Sequence, residues 1–167
     1  IVYLNDFAVW IVDADGANPR KLPKPEGEPA WPSWSRDGSL IAFQNDEDVY
    51  VVRPDGSGLR KVATNAGAPA FGPDLQLAFV IHAGGDAIRL VNLASGGVVP
   101  RAFRWNGFAS PDALWWSGGA EILFRNGRGI AALNPQTRVF RSITRGPAND
   151  YNPSWTPDGR ILFNSDR

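Results

Sequence analysis

A repeat of about 40 residues constrains the fold of this chain more than any other feature of its sequence. The segments Trp34-Ser-Arg-Asp-Gly-Ser-Leu-Ile-Ala-Phe43 and Trp155-Thr-Pro-Asp-Gly-Arg-Ile-Leu-Phe163 share an aromatic residue, a small polar residue, an Asp-Gly pair and an apolar run ending in Phe. Weaker copies begin at Phe71 and Trp116, so the four aromatic anchors lie 37, 45 and 39 residues apart. This spacing indicates stacked copies of one supersecondary unit.

Each repeat also contains an alternating strand that ends in a turn. The segments 9–16 and 49–56 end in Asp-Gly, 88–96 ends in Ser-Gly and 130–137 ends in Asn-Pro-Gln-Thr. Glycine supplies the positive φ of a tight hairpin, and Asp or Asn caps the turn. A short apolar run follows each turn, so three strands can be placed in each repeat, and a period of about 40 residues is typical of four-stranded propeller blades. The predicted fold is therefore all-β, a β-propeller of four roughly 40-residue, four-stranded blades.

The apolar run after each anchor occurs once more often than the other elements. Copies lie at 1–4, 40–43, 77–80, 122–124 and 161–163, and we expect this run to form the innermost strand of each blade. We expect residues 1–167 to be a β-propeller domain or a segment of a larger propeller. A closed four-bladed ring with a displaced terminal strand, and two chains completing a larger ring, are the alternatives. Open blade edges favour a homodimer.

The repeat resembles a known family. Trp34-Ser-Arg-Asp-Gly, Trp155-Thr-Pro-Asp-Gly and Val12-Asp-Ala-Asp-Gly are similar to the WD40-like (PD40) repeat of TolB-type β-propellers, over nearly the whole chain. In TolB-like proteins the channel mouth accepts a partner's peptide, and the TolB protein is periplasmic. The resemblance therefore implies a non-catalytic protein- or peptide-binding scaffold in the bacterial periplasm or outside the cell. The same blades form the substrate-gating propellers of prolyl-oligopeptidase-like and tricorn-type serine peptidases, which is the first alternative. A structural oligomerisation unit is the second.

Composition argues against several other functions. The 17 basic and 17 acidic residues balance, which predicts neither nucleic-acid binding nor attraction to an anionic membrane. The charge-free apolar stretch 75–85 is too short for membrane insertion. With no cysteine and the single histidine His82, we expect no zinc site. Asp13 and Asp15, and the acidic stretch 45–48, are expected to cap turns rather than to bind calcium.

The sequence also lacks the patterns of catalysis and cofactor binding. It contains no Gly-x-Ser-x-Gly elbow and no phosphate or dinucleotide glycine loop. His82, at the end of an apolar run, has no identifiable nucleophile or orienting partner. We therefore expect no enzyme activity within this chain, no cofactor and no metal.

Binding is expected at the loops that enter the innermost strands, because loops on a rigid scaffold commonly carry function. These loops are 26–31, 65–69, 105–112 and 146–152, and they mix acidic, amide and aromatic side chains. The anchors are expected to pack between blades, whereas Trp31, Trp105 and Trp115 lie in or beside loops and can stack on a ligand. The candidate ligand-binding residues are Glu28, Trp31, Asn65, Trp105, Asn106, Phe108, Asn149, Asp150 and Tyr151.

Overall fold

The fold was analysed in a computed structural model of the chain, which describes residues 1–82, 87–95, 103–104, 114–116, 120–156 and 158–167. The described residues are almost entirely β-structure, with one short 3₁₀ turn at Pro73–Leu75. None of them forms a helix of the length and apolarity that crossing a bilayer requires. The strands are β1 (Val2–Asn5), β2 (Ala8–Ile11), β3 (Arg20–Lys21), β4 (Pro29–Trp34), β5 (Ile41–Asn45), β6 (Asp48–Val52), β7 (Arg60–Thr64), β8 (Ala66–Phe71), β9 (Gln76–Ile81), β10 (Ala87–Asn92), β11 (Phe103–Arg104), β12 (Leu114–Trp115), β13 (Ile122–Asn126), β14 (Gly129–Asn134), β15 (Val139–Ser142), β16 (Asp150–Trp155) and β17 (Ile161–Ser165).

The strands form five antiparallel sheets in chain order. Three sheets have four strands, β4 to β7, β8 to β11 and β12 to β15. A three-stranded sheet, β1 to β3, precedes them, and a two-stranded sheet, β16 and β17, follows. By analogy with the complete sheets, β4, β8, β12 and β16 are first strands, and β1, β5, β9, β13 and β17 are second strands. The surplus run found in the sequence is therefore a fifth second strand.

The anchors mark the ends of the first strands. Trp34, Phe71 and Trp155 are the last residues of β4, β8 and β16, and Trp116 directly follows β12. The first strands of successive sheets pack against one another, so the first strand, and not the second, is innermost. This corrects the expectation from sequence. The first strand contains proline and polar residues and reads as a loop, whereas the second strand is a continuous apolar run because it is buried on both faces.

The core lies between successive sheets. Ile41 and Phe43 of β5 pack with Val9 and other residues of the preceding sheet, whereas Ala42 packs with Phe71 and its neighbours in the following sheet. All three β5 residues are fully buried. Because side chains alternate between the two faces of a strand, one strand contributes to two adjacent layers of core. Sheets that stack face to face in this way are the blades of a propeller.

Side-chain hydrogen bonds hold the turn between first and second strands. The Ser35 hydroxyl donates to Asp37 Oδ1 at 2.7 Å and accepts from the Leu40 N–H at 2.8 Å. Thr156 plays the same part in the last repeat, where its hydroxyl donates to Asp158 at 2.5 Å. These contacts explain the small polar residue and the aspartate of the repeated motif.

Candidate binding site in the inner cavity

The first strands surround a cavity of about 500 Å³, here called the inner cavity. Its wall consists of residues 31–34 of β4, 68–72 at β8, 114–116 at β12, Ser154 of β16 and Arg36. Four tryptophans and a phenylalanine, contributed by three successive sheets, therefore meet around one space. A concave, aromatic surface with a few polar groups is the usual form of a ligand site.

A repeated β-bulge shapes this wall. In β4, β8 and β16 the pairing with the second strand shifts by one residue, between Ala30 and Ser33 in the case of β4. Trp31, Ala68 and Asn152 occupy the bulges with φ of 52°, 50° and 52°, and each is followed by proline. A bulge bends its strand and redirects a side chain, and it tolerates proline, which cannot donate to the sheet. The same bulge thus recurs in the first strands of three sheets.

Hydrogen bonds between sheets fix the bulged strand β8. The Ala68 N–H donates to Gln44 Oε1 at 3.0 Å, and the Phe71 N–H donates to the Ser33 hydroxyl at 3.1 Å. Both acceptors belong to the preceding sheet. The backbone around this part of the cavity is therefore positioned by side chains of two sheets, and a site on it is preorganised.

The anchor tryptophans differ in their polar contacts. The Trp155 indole N–H donates at 3.2 Å to the carbonyl of Glu121, which directly precedes β13. The Trp34 indole N–H is buried and has no hydrogen-bond partner in the structure. Trp34 also lines the inner cavity, so the site includes a residue with an unsatisfied donor.

Of the residues predicted to bind a ligand, Trp31 alone lines the inner cavity as described, and its side chain is 43% exposed. Glu28, Asn65 and Asn149 occupy equivalent positions just before β4, β8 and β16. There each backbone carbonyl accepts a hydrogen bond from the residue after the second strand of its own sheet. They lie where the first strands begin and are not among the residues that line the inner cavity. Parts of the predicted loops, namely 29–31, 66–69 and 150–152, belong to first strands instead.

Of the remaining predicted residues, the structure describes Asp150 and Tyr151. Asp150 is buried, its backbone N–H donates to the Arg128 carbonyl at 2.6 Å, and its carboxylate faces Arg167 at 3.3 Å. Hydrogen bonds from Ser165 and Thr144, with the positive charge of Arg167, hold the pKa of Asp150 below its ordinary value. These contacts give it a structural role. Tyr151 is 38% exposed, and Trp105, Asn106 and Phe108 lie outside the described residues.

Sequence reasoning missed two features of the site. Trp34, Phe71 and Trp116 were assigned to packing alone, although all three also face the cavity. Arg36 was not singled out, although it is the charged residue of the wall. Trp115, noted in the sequence as a tryptophan beside a loop, does line the cavity.

Among the described residues, no three histidine, cysteine or acidic side chains lie together as they would around a metal ion. Asp13 accepts from Asn18 Nδ2 at 2.8 Å and Asp15 from the Ala17 N–H at 2.9 Å. In the acidic stretch 45–48, Asp48 pairs with Lys61 at 2.5 Å. The acidic groups considered for calcium therefore cap turns or pair with cations.

Sheets stacked face to face around their first strands define a β-propeller. Comparison with solved structures makes the class more specific. The chain is similar to TolB from Acinetobacter baumannii, with 18% identity and a TM-score of 0.76 over 93% of this chain and 42% of that one. It is also similar to a TolB-like protein from Agrobacterium tumefaciens, with 23% identity and a TM-score of 0.76 over 96% of this chain and 62% of that one. The fold is therefore that of a TolB-type β-propeller with WD40-like repeats.

The propeller fold also occurs in other settings. The tricorn protease matches with 20% identity and a TM-score of 0.67, over 93% of this chain and 17% of that one. No family model matches the sequence, and no curated protein matches it. The chain spans less than two thirds of the length of either TolB structure.

Proposed function

We propose that this chain is a non-catalytic module that binds a peptide segment of a partner protein in the inner cavity. One observation supports this most: tryptophan and phenylalanine side chains from three sheets line a single space of about 500 Å³. Aromatic residues provide large contact area at low conformational cost, which makes them frequent hot spots of binding. The similarity to TolB structures is consistent with this role.

The peptide would bind by inserting its side chains into the inner cavity rather than by pairing its backbone with a first strand. The inner edge of each first strand has no hydrogen-bonded neighbour among the described strands of its sheet. In other proteins, peptides add a strand to edges of this kind. Proline and a bulge in β4, β8 and β16 disfavour such pairing. Insertion of apolar side chains between the tryptophans fits the cavity better.

Selection from a random heptapeptide library displayed on phage tests the proposal. Peptides retained by the wild-type chain should be lost on Trp31→Ala, whose removal takes away an exposed indole of the wall, and binding should weaken at least fivefold in calorimetry. Phe7→Ala is the matched control, because Phe7 is 71% exposed and does not line the cavity. Equal retention by both variants, or no retained peptide at all, would refute the proposal.

The gating propeller of a serine peptidase is the second candidate, and the structural similarity to the tricorn protease favours it. In that case the full-length natural protein would include a hydrolase segment with a Gly-x-Ser-x-Gly elbow. A fluorophosphonate probe would then label the natural full-length protein from its source cell. Absence of labelling would favour the binding module.

The proposed setting is the bacterial periplasm or the outside of the cell, as the TolB resemblance implies. Fractionation of source cells with an antibody to the chain tests this. Recovery in the cytoplasmic fraction would contradict it.

A further inference from the structure

Arg36 is the charged residue on the wall of the inner cavity, and no acidic residue accompanies it there among the described residues. It is exposed and lies in the turn between β4 and β5. Its guanidinium makes no hydrogen bond or ion pair with any described residue. Among the described residues, the cavity therefore combines an aromatic wall with one positive charge that no acidic residue of the wall balances.

The turn itself does not require arginine. Within the four anchor motifs, the position of Arg36 is occupied by Pro73, Gly118 and Pro157 in the other repeats. It is the second residue of a β-turn closed by a backbone hydrogen bond, a place where proline is favoured. A long cation here therefore has no local structural cause.

The neighbouring carboxylate is already engaged. Asp37 Oδ1 accepts hydrogen bonds from the Ser35 hydroxyl at 2.7 Å, the Ser39 N–H at 3.1 Å and the Ser39 hydroxyl at 2.8 Å. Asp37 thus serves the turn, and no carboxylate in the part of the chain that the structure describes occupies the Arg36 guanidinium. Guanidinium prefers carboxylate, which it can bind through two parallel hydrogen bonds.

We infer that the inner cavity selects peptide segments in which an acidic side chain lies next to apolar residues, and that Arg36 determines this preference. Apolar side chains would contact Trp31 and Trp115, while the carboxylate pairs with Arg36 at the rim. The inference rests on the proposed function. Because Arg36 is exposed, its contribution should be modest and should fall with ionic strength.

The phage selection described above tests this directly when it is repeated with three variants. Arg36→Gln removes the charge, and Arg36→Pro restores the residue that two other repeats carry, so both should fold. Arg60→Gln is the control, since Arg60 is an exposed cation on the outer strand β7. We expect wild-type and Arg60→Gln chains to enrich Asp and Glu beside apolar residues, and the two Arg36 variants to lose that enrichment.

Synthetic peptides then provide the affinities. Replacing the selected Glu by Gln should weaken binding to the wild type roughly two- to fivefold in low salt and leave binding to Arg36→Gln unchanged. If Trp31-dependent peptides are recovered without acidic enrichment, the inference on Arg36 is wrong and the proposed function stands. If no Trp31-dependent peptide is recovered, the proposed function fails and the inference fails with it.

Discussion

At the scale of single residues, the contact between Gly72 and Trp116 shows how closely neighbouring sheets approach. A Cβ atom on Gly72 would lie 2.3 Å from a ring carbon of Trp116, which is only 4% exposed. Ser35 and Thr156 occupy the position of Gly72 in the two strong repeats. Glycine therefore replaces the usual hydroxyl residue where the next anchor needs the space.

The first prediction concerns this contact. Gly72→Ser should lower the free energy of unfolding by about 1–3 kcal/mol, because a side chain there displaces the buried indole. Urea denaturation measures it. In a double-mutant cycle, adding Trp116→Phe should cost less in Gly72→Ser than in the wild type, since the smaller ring makes room. Additive losses would show that the two residues do not compete for space.

A second prediction follows from the turn carboxylates. Hydrogen bonds from Ser35 and then Ser39 hold the pKa of Asp37 below its ordinary value of 3.8. A carboxyl with a lowered pKa in the folded state stabilises the fold above the unfolded pKa, and loses this contribution as the pH falls through the folded pKa. For the wild type, the urea concentration at the midpoint of unfolding should therefore decrease when the pH is lowered below about 4. In Asp37→Asn this decrease should be smaller. Glu26→Gln serves as the control. An identical acid response in Asp37→Asn would contradict the assignment.

At the scale of elements, the bulged first strand is the part of the fold that sequence patterns describe least well. The anchors, the turns and the second, third and fourth strands of each repeat follow from spacing, Asp-Gly pairs and alternation. The first strand carries proline after Trp31, Ala68 and Asn152, and proline in a run normally argues against a strand. The bulge removes that conflict, but it depends on pairing with the second strand, which no local pattern encodes. Arg36 differs from the other repeats only at its own position of the motif, so no pattern within one repeat identifies it.

The third prediction compares two alanines of β8. Ala68 and Ala70 are both 4% exposed, but Ala68 has φ of 50° and Ala70 is not in the left-handed region. Glycine adopts positive φ without steric cost. Ala70→Gly should therefore destabilise the chain by about 1 kcal/mol more than Ala68→Gly, as measured by thermal or urea unfolding. Equal losses would mean that the bulge is not strained at Ala68.

The fourth prediction concerns the edge strand β17. It pairs with β16 on one side, belongs to a two-stranded sheet, and its Leu162 is 67% exposed. An apolar sheet edge promotes pairing between chains, and lysine there opposes it. Leu162→Lys should reduce concentration-dependent self-association in light scattering, whereas Val139→Lys, at an exposed site on the outer strand β15, should have less effect. Monomeric behaviour of the wild type at all concentrations would contradict the expected homodimer.

At the scale of the whole molecule, the stacking of sheets brings aromatic residues of three sheets to one inner cavity. Trp34, Phe71 and Trp116 pack against the cores between sheets and also line the inner cavity, so under the proposed function the same aromatic residues serve both stability and recognition. The fold class was predictable because the spacing of the repeats and their recurring strands and turns are typical of a β-propeller. The site was not, since its wall is assembled from residues of different repeats that are far apart in the chain.

The most direct test is an NMR titration that follows the indole N–H signals of the seven tryptophans with a peptide selected on the wild-type chain. The cavity residues Trp31, Trp34, Trp115 and Trp116 should shift on binding. Trp10, whose N–H donates to the Asn5 carbonyl at 3.2 Å, and Trp155 should not. Single Trp→Phe substitutions assign the signals. Shifts confined to Trp10 or Trp155 would show that peptides bind elsewhere and would contradict the inner cavity as the binding site.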